Sequence, residues 1–156
     1  MKKLLSTLAL TALLAACVDT TGLSPDSNKP FAGNPDSGVT VIEFGDLQCP
    51  ACRGAQTLVV QPLMEKYGTK IRFAFKHFPL QSIHPYALVS AQAAECAADQ
   101  EKFWEFIDHN YENQDQLSPS ALRDWAKTLG LDTDLFERCL TSNIKRKTVL
   151  ADYEDG

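Results

Sequence analysis

Two cysteines three residues apart, Cys49 and Cys52, stand in the stretch Gly45-Asp-Leu-Gln-Cys-Pro-Ala-Cys52. Disulfide exchange needs a thiolate that can attack and leave, and a second thiol close enough to resolve the mixed disulfide that forms. Pro50 suits the opening of a helix, where a missing N–H would have had no intrahelical partner anyway. Unpaired N–H groups and the positive helix end then stabilise an anion at Cys49, which makes it the nucleophile. Cys52, one turn deeper and less solvated, is the resolving thiol. The same spacing serves as half of a zinc site. The other half is lacking, because Cys96 and Cys139 are not closely paired and His77, His84 and His109 show no ligand spacing with them. Neither a metal nor an organic cofactor is expected.

Glu43 lies six residues before Cys49, inside the β-branched run Val39-Thr-Val-Ile-Glu-Phe44. That run lacks alternating polarity and predicts a strand covered on both faces. A carboxylate there is costly unless it is paired or kept neutral, so its pKa should rise. Placed near the buried side of the active-site helix, it can exchange a proton with Cys52, directly or through water. The alternative is a strand-end glutamate that reaches solvent. His77 and His84 flank a later loop and are assigned no role.

Positioning these groups requires a turn at Gly45–Gln48 and a helix from Pro50 through Tyr67, kinked by Pro62 and ended by Gly68. Leu58, Val59, Leu63 and Met64 are its expected sheet-facing side. Ile71–Lys76 reads as a second strand, parallel to the first because a helix crosses between them. After the loop His77–Leu80 come helices near 85–98, 101–112, 119–129, 133–141 and 143–153. Ser118 with Pro119, and Asp132 with Thr133, are plausible starts. Phe103, Trp104, Phe106 and Ile107 are expected in the core.

The first residues read as an export signal: Met1-Lys-Lys3, the apolar Leu4–Leu14, then Ala15-Ala16. The run is too short for an ordinary spanning helix. Leu14-Ala-Ala-Cys17 resembles the bacterial lipobox, in which the cysteine is lipidated and becomes the first residue; an ordinary signal peptide with an incidental cysteine is the alternative. Val18, where Asp would retain a lipoprotein at the inner membrane, favours the outer membrane of a diderm envelope. Residues 18–36, rich in Pro, Gly, Ser, Asn and Asp, read as a flexible tether reaching roughly 25 Å. The expected layout is therefore a signal peptide (1–16), lipidated cysteine and tether (17–37), a βαβ half (38–80) and a helical part (81–156).

With 156 residues, 44% apolar and 22% charged, the chain has the size and composition of one globular domain. Loss of residues 1–16, which hold two lysines and no acid, takes the net charge from −5 to −7. No basic stripe or Arg-rich helix is present, so nucleic acid is not an expected partner. Apart from Cys17, four cysteines remain. If Cys49 and Cys52 pair, Cys96 and Cys139 form either a second, structural bridge or two separately buried thiols.

From Val39 to about Ala151 the sequence resembles the DsbA-like branch of the thioredoxin superfamily. The residues that carry the likeness are Val41-Ile-Glu-Phe44, Cys49-Pro-Ala-Cys52, Phe75-Lys-His-Phe-Pro-Leu80, His84-Pro85 and Ala93-Ala-Glu-Cys-Ala-Ala-Asp-Gln-Glu-Lys-Phe-Trp104. The resemblance implies an α/β thioredoxin-like fold with a helical domain inserted after the second strand. It also implies catalysis by Cys49 and Cys52, with Glu43 as buried proton acceptor. Substrates would be cysteine-containing exported proteins, and electrons would pass to or from a membrane redox partner. Ala51 stands where strongly oxidising members often carry His, which implies a milder redox poise. Members continue with a cis-proline loop, two more strands and a helix, whereas the last proline here is Pro119. These C-terminal parts are expected to be missing, leaving an exposed strand edge and a marginally stable or partner-dependent chain. A truncated, non-enzymatic envelope lipoprotein with a static Cys49–Cys52 disulfide is the alternative reading.

Overall fold

The computed structural model describes residues 18–156; the expected signal peptide (1–16) and Cys17 lie outside the described residues. Strands β2 (Thr40–Gly45) and β3 (Arg72–His77) pair in parallel, with Glu43 opposite Phe75. A two-residue strand, β1 (Ala32–Gly33), adds antiparallel on the other side of β3, giving the order β1-β3-β2.

The connection from β2 to β3 is a helical stretch that changes pitch in the middle: α1 (Pro50–Ala55), a π-helical turn (Gln56–Val60) and α2 (Gln61–Tyr67). Pro62 explains the change. It has no N–H to give and its ring crowds the preceding turn. The widened turn relieves this, with the Gln61 N–H bonded five residues back to the Gln56 carbonyl. The widened turn also shifts which residues face inward. Val60 is buried, while Leu58 and Val59, expected against the sheet, are 79% and 60% exposed.

A second correction concerns β2. Val41 and Glu43 are half-buried and Gly45 is buried, but Ile42 and Phe44 are exposed, so the strand is not covered on both faces. Among the described residues β2 is an edge strand, with β3 as its single neighbour. Apolar residues on both sides of a strand encode the capacity to be covered, not the presence of a cover.

Beyond β3 the helices are α3 (Ala87–Ala98), α4 (Phe103–Glu112), α5 (Pro119–Thr128), α6 (Thr133–Ser142) and α7 (Arg146–Asp155). Their starts follow the sequence signals: Ser118 Oγ accepts the Ala121 N–H, and Asp132 Oδ1 accepts those of Asp134 and Leu135. Small residues Ala93, Ala94, Ala97 and Ala98 make α3 a thin central helix against which bulky neighbours pack. Phe103, Phe106 and Ile107 from α4, Leu122 and Trp125 from α5, and Phe136 and Leu140 from α6 join Leu47 and Phe75 in one core. Cys96 and Cys139 are bridged, tying α3 to α6.

Residues 19–33 are not a free coil. The Arg138 guanidinium donates to the carbonyls of Asp19 and Thr21, Thr148 to Pro25, and Lys145 to Asp26. Ser27 Oγ and Lys29 Nζ both donate to the buried Glu95, at 2.8 and 3.0 Å, and Lys29 also pairs with Asp152. The polar residues that read as tether instead satisfy buried charges of the helical part, so the expected 25 Å reach does not apply to this span. No helix among the described residues is long and apolar enough to cross a membrane.

Candidate active site

The end of β2 leads straight into the dithiol. Gly45 is obligatory there, because a Cβ would stand 2.4 Å from the Phe75 ring. Asp46 follows, buried, and works as a clamp. Its Oδ2 accepts the Leu80 N–H at 2.9 Å and meets His84 Nδ1 at 2.7 Å, while Oδ1 accepts the Gln48 N–H at 2.8 Å. Gln48 Oε1 in turn accepts the Tyr86 N–H at 2.6 Å. From the other side, Asn110 Nδ2 donates to the Leu47 carbonyl at 2.7 Å, and Gln114 Nε2 donates to the carbonyls of Leu47 and Cys49 at 3.0 and 3.1 Å. The loop Asp46–Cys49 is thus held by the segment after β3 and by the end of α4, which limits its freedom before any reaction begins.

Cys49 is the residue before the helix, with extended backbone angles and its carbonyl accepting the Arg53 N–H at 3.1 Å. Pro50 takes the first helical position and Ala51 is exposed. Cys49 and Cys52 are both half-buried and unbridged. Burial pushes the Cys52 thiol up to about 11; the Asp46 N–H works against this, and the neighbouring Cys49 and Asp46 charges add to it. Cys52 therefore holds its proton at neutral pH.

Glu43 is half-buried, and desolvation pushes its carboxyl up to about 7. Its Oε2 is sealed from solvent without a hydrogen-bond partner. Tyr111, on α4, is buried as well, and its hydroxyl is also unpartnered. Burial keeps that hydroxyl protonated, reinforced by the negative charges available to Glu43, Cys52, Asp46 and Cys49. The structure thus gathers Glu43, Cys49 and Cys52 in one place, together with groups that sequence reasoning missed: Asp46, His84, Asn110, Tyr111 and Gln114. His84 stands in a motif but is assigned no role from sequence, and no local pattern marks Tyr111.

A separate buried cluster sits behind β3. Ligating atoms of His77, Glu95 and Asp152 lie within 4.8 Å of one another, and His77 Nε2 is 3.3 Å from Glu95 Oε1. The Lys29 ammonium pairs with both carboxylates, so a side chain of the protein itself supplies the cation. Burial alone would raise the Glu95 carboxyl, but His77, Lys29 and Ser27 outweigh it and hold the group at about 2.

A mixed sheet with a dithiol at the start of the helix following its edge strand, and a half-buried carboxyl group on that strand, defines a thioredoxin-like α/β protein. The chain belongs to the thioredoxin family, whose sequence profile matches residues 26–156. Its architecture is that of the DsbA-like members. A thioredoxin-like oxidoreductase from Silicibacter pomeroyi DSS-3 superposes with a TM-score of 0.68 at 27% identity, over 83% of this chain and 72% of that one. The α-DsbA1 of Wolbachia pipientis superposes with a TM-score of 0.69 over 80% of this chain and 65% of that one; at 23% identity this likeness concerns the fold. The Na(+)/H(+) antiporter NhaA 1 of Salinispora arenicola (strain CNS-205) is 43% identical over 118 residues, 76% of this chain and 18% of that protein. The chain spans less than a fifth of the curated relatives it matches.

Proposed function

We propose that the protein is a thiol–disulfide oxidoreductase that exchanges disulfides with exported proteins through Cys49 and Cys52. The observation that carries this reading is the free dithiol at the start of the helix that follows β2, beside a carboxyl oxygen sealed from solvent. Cys49 lies at the helix start, Cys52 behind it keeps its proton up to about pH 11, and Glu43 titrates near 7. A general base with a pKa close to the working pH suits proton transfer to and from the resolving thiol.

In the oxidising direction a substrate thiolate attacks Cys49 Sγ of the Cys49–Cys52 disulfide, and the Cys52 thiolate leaves and takes a proton from Glu43. A second substrate thiolate then attacks the substrate sulfur of the mixed disulfide and releases the Cys49 thiolate. In the reducing direction Cys49 attacks a substrate disulfide. Cys52 then gives its proton to Glu43, attacks Cys49 Sγ and frees the substrate thiolate. Neither direction needs a metal or an organic cofactor. Electrons are exchanged with a membrane redox partner, and Ala51 sets a milder poise than a histidine would.

Export through residues 1–16 and lipidation of Cys17 would present the domain to the periplasm from a membrane surface, the outer membrane in a diderm cell. The matched segment of the antiporters supports a redox domain shared with much larger proteins; ion transport belongs to those whole chains. Refolding of a reduced, disulfide-containing protein tests the reading. The wild-type chain accelerates it, Cys49→Ser does not, and Cys52→Ser accumulates mixed disulfides. Equal rates for wild type and Cys49→Ser would leave a static, non-enzymatic lipoprotein. In cells, a labelled fatty acid should be incorporated into the wild-type protein and not into Cys17→Ser; no label in the wild type refutes the anchor.

A further inference from the structure

Two buried oxygen atoms beside the dithiol, Glu43 Oε2 and Tyr111 Oη, lack partners, as does Oδ1 of the adjacent Asn110, whose Nδ2 is already engaged. Buried polar atoms are nearly always hydrogen-bonded, because leaving one unsatisfied forfeits its hydration with nothing in return. Two such atoms in one place call for a shared explanation. Tyr111 follows Asn110, which holds the Leu47 carbonyl, so α4 is fixed against the active-site loop at this point. The tyrosine hydroxyl reaches over β2 and stands 3.3 Å from where a Cβ at Gly45 would be. Gly45 and Glu43 are two residues apart on one strand and so present their side-chain positions to the same face. Asp46, next along the chain, aims its N–H at Cys52. Glu43, the Tyr111 hydroxyl and Cys52 therefore line one largely shielded strip beside the end of β2.

We infer that Tyr111 is a positioning residue whose hydroxyl links Cys52 to Glu43 in the proton transfer of the resolving step. The inference rests on the redox reading of Cys49 and Cys52. In the reducing direction the Cys52 S–H gives its proton to the Tyr111 oxygen while the Tyr111 O–H gives its own to the Glu43 carboxylate, each transfer bridged by water because neither oxygen touches a partner directly. Tyrosine is unchanged, Glu43 gains the proton that Cys52 loses, and the Cys52 sulfur attacks Cys49 Sγ as the bond from Cys49 to substrate breaks. The oxidising direction runs the same transfer backwards. The groups acting on Tyr111 are acids and thiols, so the hydroxyl remains a donor throughout the working range. A purely structural role would need only the ring, which already packs in the core.

The test uses the reduced protein and Ellman's reagent. Attack by Cys49 releases one thionitrobenzoate, and resolution by Cys52 releases a second, so the two phases report the two thiols separately. Tyr111→Phe should leave the first phase unchanged and slow the second about tenfold at neutral pH, as expected for losing one charge-assisted hydrogen bond. The deficit should shrink as the pH rises and Cys52 ionises without help. With Glu43→Gln added, the second phase should be no slower than in the slower single variant. A second phase of unchanged rate and pH profile in Tyr111→Phe overturns the inference, as does multiplicative slowing in the double variant. Should Tyr111→Phe lose the first phase through misfolding, 3-fluorotyrosine placed at position 111 alone keeps ring and hydroxyl while making the hydroxyl more acidic. A shifted second-phase profile then supports the link and an unshifted one refutes it. Failure of the redox reading looks different: wild type itself would show no second phase.

Discussion

Glu43 stores a cost that its role would justify. Its carboxyl titrates near 7 when folded against an ordinary 4.5, so the folded state binds this proton more tightly than the unfolded chain. Stability from this group is full below about pH 4.5 and falls as the pH rises through 7. The loss approaches ~3 kcal/mol, less whatever the partial exposure of the carboxyl relieves. Glu43→Gln should therefore match wild type near pH 4 and be more stable at pH 8, while slowing the step that needs Cys52. Urea unfolding of the reduced protein at both pH values checks this, and an equal difference at the two would show that ionisation is not the cause. Residue types made Cys49, Cys52 and Glu43 legible in the sequence, because each carries chemistry that its surroundings must explain. Tyr111 and Asp46 were not legible: their roles come from what α4 and the loop after β3 bring beside the dithiol, and neither contact leaves a local pattern.

At the scale of elements, α3 and α6 are joined across 43 residues by Cys96–Cys139. The sequence offered a bridge and two separate thiols as equals, since helix packing decides whether two cysteines meet. Closing a loop of that length removes unfolded-state entropy worth about 4 kcal/mol. Replacing both cysteines by alanine should lower the urea-derived stability by roughly that amount and leave the rate of the first Ellman phase at Cys49 unchanged. A loss below about 1 kcal/mol would mean that the packing of α3 against α6 needs no staple. Helix boundaries were read within a few residues because caps such as Ser118 and Asp132 are local signals. The π-helical turn was not, because Pro62 announces that the helix must change but not whether it bends or gains a residue. The strap over residues 19–33 was misread for a related reason. Its composition is that of a linker, and only the buried Glu95 and the half-buried Asp152 explain why Lys29 is held.

For the whole molecule the decisive feature is the outer side of β2. The carbonyls of Val39 and Gly45 accept from Arg72 and Phe78, so the intervening Thr40, Ile42 and Phe44 turn their backbone groups outward. Helix α7 shields one end of the strand's bare face, where Tyr153 stacks on Phe78 at 4.7 Å and Gly156 lies against the Phe44 ring. On that face Ile42, 48% exposed, stays open, and Val39 just before the strand is 58% exposed on the other side. An edge that is both apolar and unpaired is a template for another strand, and no lysine or proline within β2 blunts it. The described domain should associate as its concentration rises, and Ile42→Lys, which places a charge on that edge without touching Glu43 or the dithiol, should hold it monomeric. Sedimentation velocity across a hundredfold concentration range, about what separates weak from firm association by 2.8 kcal/mol, makes the comparison. If wild type and Ile42→Lys sediment alike as monomers throughout, the edge is already protected by the twist of the strand and by α7. If they associate alike, the contact lies elsewhere, and the exposed Leu58 and Val59 of the π-helical turn become the surface to charge next.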